Sequence, residues 1–214
     1  MSEGFAARYP RVWHVVEAEG AGCSTLYPAA ALRRLAGLAE DNTNRDNFQR
    51  LALPNGDEAI LRKQLMPDRT LSPTLAGPFS GRPDLWRDLL NRHVFFWVSP
   101  DSRDGFLNAC RRFRARGAIG TGLSPIVIEL DTVSLLTAHG QAAYFSRINT
   151  GSTVRGGARV RRDDHTLRPL SDWSGGRVVE LAIRGPVALE RVLARVILTC
   201  VVSGIAKTKD HVSL

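Results

Sequence analysis

The sequence predicts an α+β fold built on a bent or split, mostly antiparallel sheet. Short segments of strand and helix character alternate along the chain, but without the regular β-α-β period that is typical of a parallel sheet. The chain has 214 residues, 43% of them hydrophobic, so it can bury a core without disulfides or a structural metal. We therefore expect one domain over residues 1–206, followed by a flexible tail over residues 207–214.

Turn-forming residues divide the first half of the chain into separate elements. The apolar, β-branched run at 9–16 predicts a strand, and apolar residues at helical spacing predict a helix over 24–38, capped by Ser24 or Thr25. Residues 41–57 are rich in Asn and Asp and are predicted as a loop. Residues 58–65 are predicted as a strand that carries Arg62 and Gln64 on one side, and the Pro- and Gly-rich stretch 67–81 as a second loop.

The second half begins with the clearest helix signal, because Pro83 suits the first turn of a helix that runs to about residue 91. The apolar run 94–98 follows as a buried strand, and Ser102 caps a helix over 105–115. The remaining predicted elements are a strand at 126–130, a short helix or turn at 132–138, a strand at 142–148, a loop at 149–157, a strand at 177–183, a helix at 187–196 and a strand at 197–202.

The charge balance favours a polyanionic partner. There are 29 Lys and Arg residues against 21 Asp and Glu, a formal net charge of +8, and all but three of the cations are arginine. One cluster, Arg155, Arg159, Arg161 and Arg162, begins within the predicted loop at 149–157 and is the candidate nucleic-acid surface. A solvated basic loop, with an arginine content set by genomic base composition, is the alternative interpretation.

Several functional classes lack their signatures. The sequence has no P-loop, no G-x-G-x-x-G opening a helix, no G-x-S-x-G and no metal-ligand spacing of His or Cys. No apolar run is long enough for a membrane helix, and the start of the chain does not resemble a signal peptide. Three widely spaced cysteines, with no C-x-x-C pair, indicate a reducing compartment, so we expect a cytoplasmic protein.

Polar residues inside apolar strands are the remaining candidates for chemistry, because a buried polar group needs a partner or a purpose. His14 ends an apolar strand and suits a hydrogen bond to a ribose hydroxyl or a backbone carbonyl. Arg62 suits either a structural ion pair or a diphosphate clamp. Alternation places Phe95 and Trp97 on one face and Phe96 on the other, so at least one ring can stack on a planar ligand.

Two strand carboxylates compete for a chemical role. Glu180 lies between aliphatic residues in Val178-Val-Glu-Leu-Ala-Ile183, where a charge is not expected. Glu129 has a similar context, but Asp131 and Thr132 follow it as a strand end and a helix cap. We therefore rank Glu180 first and Glu129 second.

Together these segments resemble an uncharacterised bacterial domain family over nearly the whole chain. The resemblance rests on Trp13-His14, Arg62-Lys-Gln64, Leu90-Asn-Arg-His-Val-Phe-Phe-Trp97, Leu130-Asp-Thr132, Asn149-Thr-Gly-Ser-Thr153 and Val178-Val-Glu-Leu181. The order of an early His, a later Arg, a Phe-Phe strand and a late strand Glu also resembles the DarT-type ADP-ribosyltransferases.

The second resemblance implies an ADP-ribosyltransferase-like fold and NAD as the cofactor. It implies that His14 holds the nicotinamide ribose, that Arg62 or Arg92 acts on the phosphates or the reaction centre, and that Glu180 is the catalytic carboxylate. The other residues expected at the NAD site are Gln64, Phe95, Phe96, Trp97, Asn149 and Thr153. Nucleic acid, DNA or RNA, is the expected acceptor, and an antitoxin or regulatory protein is a further expected partner.

Two alternatives stay open at this point. One is a non-catalytic module that binds a nucleotide or nucleic acid on the same fold. The other is an RNA phosphotransferase-like activity, which would depend on arginines and would not need Glu180.

Overall fold

The computed structural model describes residues 2–17, 24–64, 66–115, 125–153, 160–192, 194–198 and 209–210. Its elements are, in chain order, α1 (Ser2–Arg8), β1 (Arg11–Glu17), β2 (Thr25–Leu26), α2 (Ala29–Leu35), β3 (Gln49–Ala52), β4 (Glu58–Leu61), α3 (Asp68–Leu71), α4 (Pro83–Asn91), β5 (His93–Trp97), α5 (Pro100–Ala115), β6 (Pro125–Asp131), α6 (Thr132–His139), β7 (Ala143–Ser146), β8 (Arg168–Pro169), β9 (Glu180–Arg184), β10 (Val187–Ala188), β11 (Ala194–Leu198) and β12 (Lys209–Asp210). The predicted α+β class is confirmed.

An eight-stranded antiparallel sheet organises these elements in the order β12-β11-β6-β1-β5-β9-β7-β8. β1 pairs with β6 along all seven of its residues, and β5 pairs with β9 along all five. By contrast, β1 and β5 share one register pair, Trp13 with Trp97. Beyond that pair the two strands diverge, so the sheet is split between β1 and β5. The prediction of a bent or split sheet did not locate this split.

Helices cover the two faces of the sheet differently. On one face, α1 and α6 pack over a continuous core that includes Phe5, Phe96, Phe145 and Leu181. On the other face, Trp86 of α4 packs beside Phe95, while Leu107 of α5 packs beside Trp13 and near Trp97. The two helices therefore cover opposite sides of the split and leave a groove between them.

The structure corrects several predicted elements. Helix α1 was not predicted. Part of the predicted loop 41–57 forms a β3-β4 hairpin, whose turn places Gly56 at a φ of 86°. Helix α5 starts at Pro100, five residues before the predicted start. The capping residue is Ser99 and not Ser102, because the Ser99 hydroxyl accepts a 3.2 Å hydrogen bond from the Ser102 amide.

The predicted helix at 187–196 is wrong. The described residues of this stretch form β10, a 3-10 turn at Leu189–Arg191 and the start of β11. Alanine and leucine in this stretch favoured a helix, but its β-branched residues tolerate a strand equally well, and five residues of β11 pair with β6. The end of the predicted strand at 197–202 lies outside the described residues.

Candidate functional site

A cavity of about 710 Å³ lies in the split between β1 and β5. Its volume falls within the range of about 300–1,000 Å³ that is common for small-molecule sites. His14 of β1, Arg62 after β4, and Glu180 of β9 all line it, although they are far apart in sequence. The structure thus brings together the three residues that the sequence placed at the site.

His14 bridges the split. Its Nδ1 donates a hydrogen bond of 2.8 Å to the carbonyl of Phe95, because a carbonyl oxygen can only accept. The pKa of His14 is lowered to about 4, chiefly by burial; the Phe95 hydrogen bond opposes the shift, and the nearby Arg62 charge adds to it. The imidazole is therefore neutral at neutral pH, with Nε2 as a hydrogen-bond acceptor.

Arg62 lies just beyond the end of β4 and is held on several sides. Its Nη1 forms an ion pair with the buried Glu17, and its Nη2 contacts the Cys110 Sγ at 3.2 Å. The guanidinium also stacks against the ring of Phe106, 5.1 Å from its centroid. The side chain remains 26% exposed, so the group faces the cavity with much of its charge balanced by Glu17.

Glu180 is the most unusual group in the cavity. The residue is 3% exposed, and its Oε2 accepts hydrogen bonds from the Thr150 amide at 2.9 Å and the Thr150 hydroxyl at 2.8 Å. Burial raises the pKa of Glu180 to about 7, although the Thr150 bonds and the charge of Arg162 pull it down. Within the described parts of the chain, Glu180 forms no ion pair.

Glu129, the second candidate, has a different environment. Its Oε2 accepts a 2.9 Å hydrogen bond from the Trp13 indole, and its Oε1 lies 3.4 Å from an Arg195 nitrogen. Glu129 is not among the residues that line the cavity. The ranking of Glu180 above Glu129 agrees with this geometry.

The aromatic strand alternates as predicted. Phe95 and Trp97 belong to the face covered by α4 and α5, whereas Phe96 is fully buried in the opposite core. All three residues contribute to the cavity wall. The Trp97 ring is tilted against Phe106, with the ring centroids 5.5 Å apart, so part of its surface is already used in packing.

A polar cluster supports one wall of the cavity. The Gln64 amide donates to the Asn91 Oδ1 at 3.1 Å, and the Arg45 guanidinium donates to the same oxygen at 3.3 Å. Arg45 is buried, which lowers its pKa to about 10. Sequence reasoning missed Arg45 and Asn91, because neither a polar loop nor a helix end signals burial.

The loop after β7 contributes Asn149 and Thr150 to the cavity. The Asn149 Oδ1 accepts a 3.1 Å hydrogen bond from the Gly151 amide and shapes the turn. Thr150, which holds Glu180, was missed, although it lies inside the Asn149-Thr-Gly-Ser-Thr153 motif. The motif pointed to the correct loop and to Asn149, but not to Thr150.

Two predicted site residues do not line the cavity. Arg92 follows the last turn of α4, so its side chain reaches back to Asp88, with both hydrogen bonds at 2.9 Å, and to Glu40 at 3.4 Å. Thr153 forms a 2.8 Å hydrogen bond with the Thr70 hydroxyl. Arg92 therefore lies outside the cavity wall, whereas Arg62 lines the cavity and keeps the candidate role at the phosphates.

The proposed basic surface also changes. Arg155 and Arg159 lie outside the described residues. Arg161 is exposed and pairs with Asp163 at 3.2 Å. Arg162, by contrast, is buried and donates hydrogen bonds to backbone carbonyls, so it is not available to a nucleic acid. The charge pattern of the sequence did not indicate that Arg162 is buried, because the burial depends on backbone carbonyls that only the folded loop brings close to the guanidinium.

The described residues contain no cluster of His, Cys, Asp and Glu that could hold a metal, and none of their helices is long and apolar enough to cross a membrane.

No curated protein and no solved structure matches the chain. The resemblance to DarT-type enzymes therefore stays a hypothesis. One family model, described as a family of unknown function, matches residues 10–191. Because this match spans most of the sequence, the chain belongs to the DUF7002 family.

Proposed function

We propose that this protein is an NAD-dependent ADP-ribosyltransferase-like enzyme that cleaves the nicotinamide N-glycosidic bond and transfers ADP-ribose, with nucleic acid as the favoured acceptor. One observation carries the proposal. Glu180 is a buried carboxylate without an ion pair among the described residues, and it shares one cavity with a neutral histidine and an arginine.

The proposed chemistry assigns a separate task to each oxygen of Glu180. Cleavage of an N-glycosidic bond develops positive charge on the sugar, as in glycoside hydrolysis. Thr150 holds Oε2 with two hydrogen bonds, and no hydrogen bond of the described residues engages Oε1. Oε1 can therefore oppose the developing charge or accept a proton from the attacking group.

The other cavity residues fit NAD by their chemistry. Nε2 of neutral His14 can accept a hydrogen bond from a ribose hydroxyl. The Arg62 guanidinium can bind a diphosphate, which would compete with Glu17 for it. The rings of Phe95 and Trp97 supply an apolar wall for a planar group.

Two arginines near the cavity support an anionic acceptor. Arg177 is exposed and lines the cavity close to Glu180 in the chain. Arg147 is also exposed, and its guanidinium lies against Gly176, about 3.4 Å from where a Cβ would stand, on the turn that precedes Arg177. We propose that these two residues join Arg155 and Arg159 in binding phosphates.

The cellular setting belongs to the same proposal. The three cysteines, odd in number and without a C-x-x-C pair, fit the reducing cytoplasm. A nucleic-acid-modifying activity in that compartment requires control, so we propose an antitoxin or regulatory protein as a partner.

A non-catalytic nucleotide-binding module is the second candidate. The Arg62–Glu17 ion pair favours it, because this pair already uses much of the charge that a diphosphate would need. The raised pKa of Glu180 favours it as well, since a protonated carboxyl can donate a hydrogen bond to a ligand without taking part in a reaction.

Nicotinamide release and NAD affinity, measured on the same variants, separate the two candidates. In Glu180→Gln we expect NAD affinity to change little, because the charge that Glu180 opposes develops only as the bond breaks. Nicotinamide release should fall roughly 100-fold or more. Glu129→Gln is the matched variant, a strand carboxylate outside the cavity, and should retain release.

Three results would contradict the proposal. NAD binding with no nicotinamide release by the wild-type protein would favour the binding module. Unchanged release by a folded Glu180→Gln protein would move the search to Glu129. Calorimetry that detects no NAD binding at millimolar concentration would exclude NAD as the ligand of the cavity.

A further inference from the structure

Arg162 is a buried cation without an ion pair among the described residues. It is 3% exposed, and its guanidinium donates hydrogen bonds to the carbonyls of Val160 at 2.8 Å, Ser152 at 2.7 Å and Asn149 at 3.4 Å. Burying a charge without a counter-charge is unfavourable, so such a residue is expected to do something that a neutral side chain cannot do.

The backbone of Arg162 is anchored to a different part of the core. Its amide donates to the Thr74 carbonyl at 2.8 Å, and its carbonyl accepts from the Ala76 amide at 2.9 Å. Leu75, between these two residues, packs in the cluster around Trp86. Arg162 therefore ties the loop of Asn149 and Ser152 to a segment that is already fixed by core packing.

That loop determines how Glu180 is held. Thr150 lies between Asn149 and Ser152, two of the residues whose carbonyls Arg162 binds, and it supplies both hydrogen bonds to the Glu180 Oε2. A shift of the loop would move Thr150 away from Glu180. The Arg162 guanidinium is thus connected to the carboxylate through its hydrogen bonds to the loop, the loop backbone, and the Thr150 hydrogen bonds to Glu180.

We propose that Arg162 is the positioning residue of Glu180. Arg162 holds the Thr150 loop in place, and it places a positive charge near a buried carboxylate that forms no ion pair among the described residues. The inference rests on the proposed role of Glu180, but its physical content does not depend on NAD. It also gives a reason why a buried position carries a charged side chain.

Three ionisable groups that line the cavity are less suited to this role than Arg162. His14 is neutral at neutral pH, and Arg62 is paired with Glu17. Arg177 is exposed, so solvent screens its charge. Arg162 is buried, and its charge acts to lower the pKa of Glu180 while the burial of Glu180 raises it.

Carboxyl ¹³C NMR on protein with labelled glutamate tests the electrostatic part of the proposal, with the Glu180 signal assigned from its loss in Glu180→Gln. In Arg162→Met we expect the pKa of Glu180 to rise by about one unit, because a nearby positive charge is removed. Arg161→Met is the matched control, since its side chain is exposed and paired with Asp163, and should leave the titration unchanged.

Hydrogen exchange in Arg162→Lys tests the positioning part and covers the case in which Arg162→Met does not fold. Lysine keeps the charge but lacks the planar fork that joins several carbonyls. We expect the Glu180 titration to stay close to wild type, while the Thr150 amide exchanges about tenfold faster, as expected when roughly one hydrogen bond is lost.

An unchanged pKa of Glu180 in folded Arg162→Met, or an unchanged Thr150 exchange rate in Arg162→Lys, would overturn the proposal. Nicotinamide release reports separately on the proposed function. If the wild-type protein releases no nicotinamide but Arg162→Met still shifts the Glu180 titration, the enzyme assignment fails and the positioning role stands.

Discussion

Burial moves the pKa values of Glu180 and His14 in opposite directions. The pKa of Glu180 rises to about 7, so between its ordinary value of 4.5 and 7 the folded protein holds a proton that the unfolded chain has released. Its contribution to stability is therefore complete below pH 4.5 and is lost as the pH rises through 7. The pKa of His14 falls to about 4, so His14 favours folding above pH 6.5, and this contribution is lost as the pH falls towards 4.

The Glu180 shift predicts how stability depends on pH. Between pH 5 and pH 8 the wild-type protein should lose about 2–3 kcal/mol of unfolding free energy relative to Glu180→Gln, because glutamine has no proton to release. Urea unfolding of both proteins across this range measures the difference. Parallel profiles would show that Glu180 titrates near its ordinary value.

The Arg62–Glu17 ion pair predicts opposite effects of its two partners on ligand affinity. Glu17→Gln removes the group that competes with a diphosphate, so NAD should bind more tightly. Arg62→Ala should weaken NAD binding by about 1.5–3 kcal/mol, the value of a charge-assisted hydrogen bond. Calorimetry on both variants measures this, and weaker binding by Glu17→Gln would place the diphosphate away from Arg62.

At the scale of elements, the split between β1 and β5 creates the site. A fully paired sheet would have used the edges of both strands in backbone hydrogen bonds and left no space for a cavity. Instead, the strands meet at Trp13 and Trp97, and the His14 side chain spans the gap to Phe95. β1 remains fully paired with β6, and β5 remains fully paired with β9. Each strand beside the split is therefore still held by backbone hydrogen bonds along its other edge.

Ligand binding in the split should be visible in hydrogen exchange. Amides of β1 and β5 that face the cavity lack a strand partner on that side and should exchange faster than those that face β6 or β9. NAD should slow exchange in peptides that cover 13–17 and 93–97 but leave a peptide within 126–130 unchanged. Protection that appears only outside 13–17 and 93–97 would locate the ligand elsewhere.

The same scale shows where pattern reading succeeds. Helix α4 has the predicted bounds because Pro83 fixes its start and its apolar residues recur at helical spacing. Residues 187–196 failed because their local propensities are balanced and pairing with β6 decided the outcome. Local chemistry determines an element when its signals agree, and tertiary pairing determines it when they do not.

For the whole molecule, the net charge of +8 favours association with polyanions, and the structure places part of that charge near the cavity. Arg177 and Arg147 are exposed there, whereas Arg162 is buried and Arg92 is paired with Asp88. Burial and pairing therefore select which arginines remain able to bind phosphate.

Salt dependence tests that selection. For single-stranded nucleic acid, log K should fall with log salt at a slope of about −0.7 per phosphate contact. Arg177→Ala should make this slope less steep by about 0.7, which corresponds to the loss of one phosphate contact. Arg191→Ala removes another exposed arginine that does not line the cavity, and it should change the slope less. Binding that is insensitive to salt would attribute the arginine content to genomic composition.

The sequence by itself determined the α+β class, the alternation of Phe95, Phe96 and Trp97, and Glu180 as a carboxylate out of place in an apolar strand. These features depend on local periodicity and on the solvation cost of a single side chain. The tertiary structure alone decided that Arg62 pairs with Glu17, that Thr150 holds Glu180, and that Arg162 is buried behind the same loop. Each of these contacts joins segments that are distant in the chain. Their partners are selected by the packing of the whole fold, which no local pattern encodes.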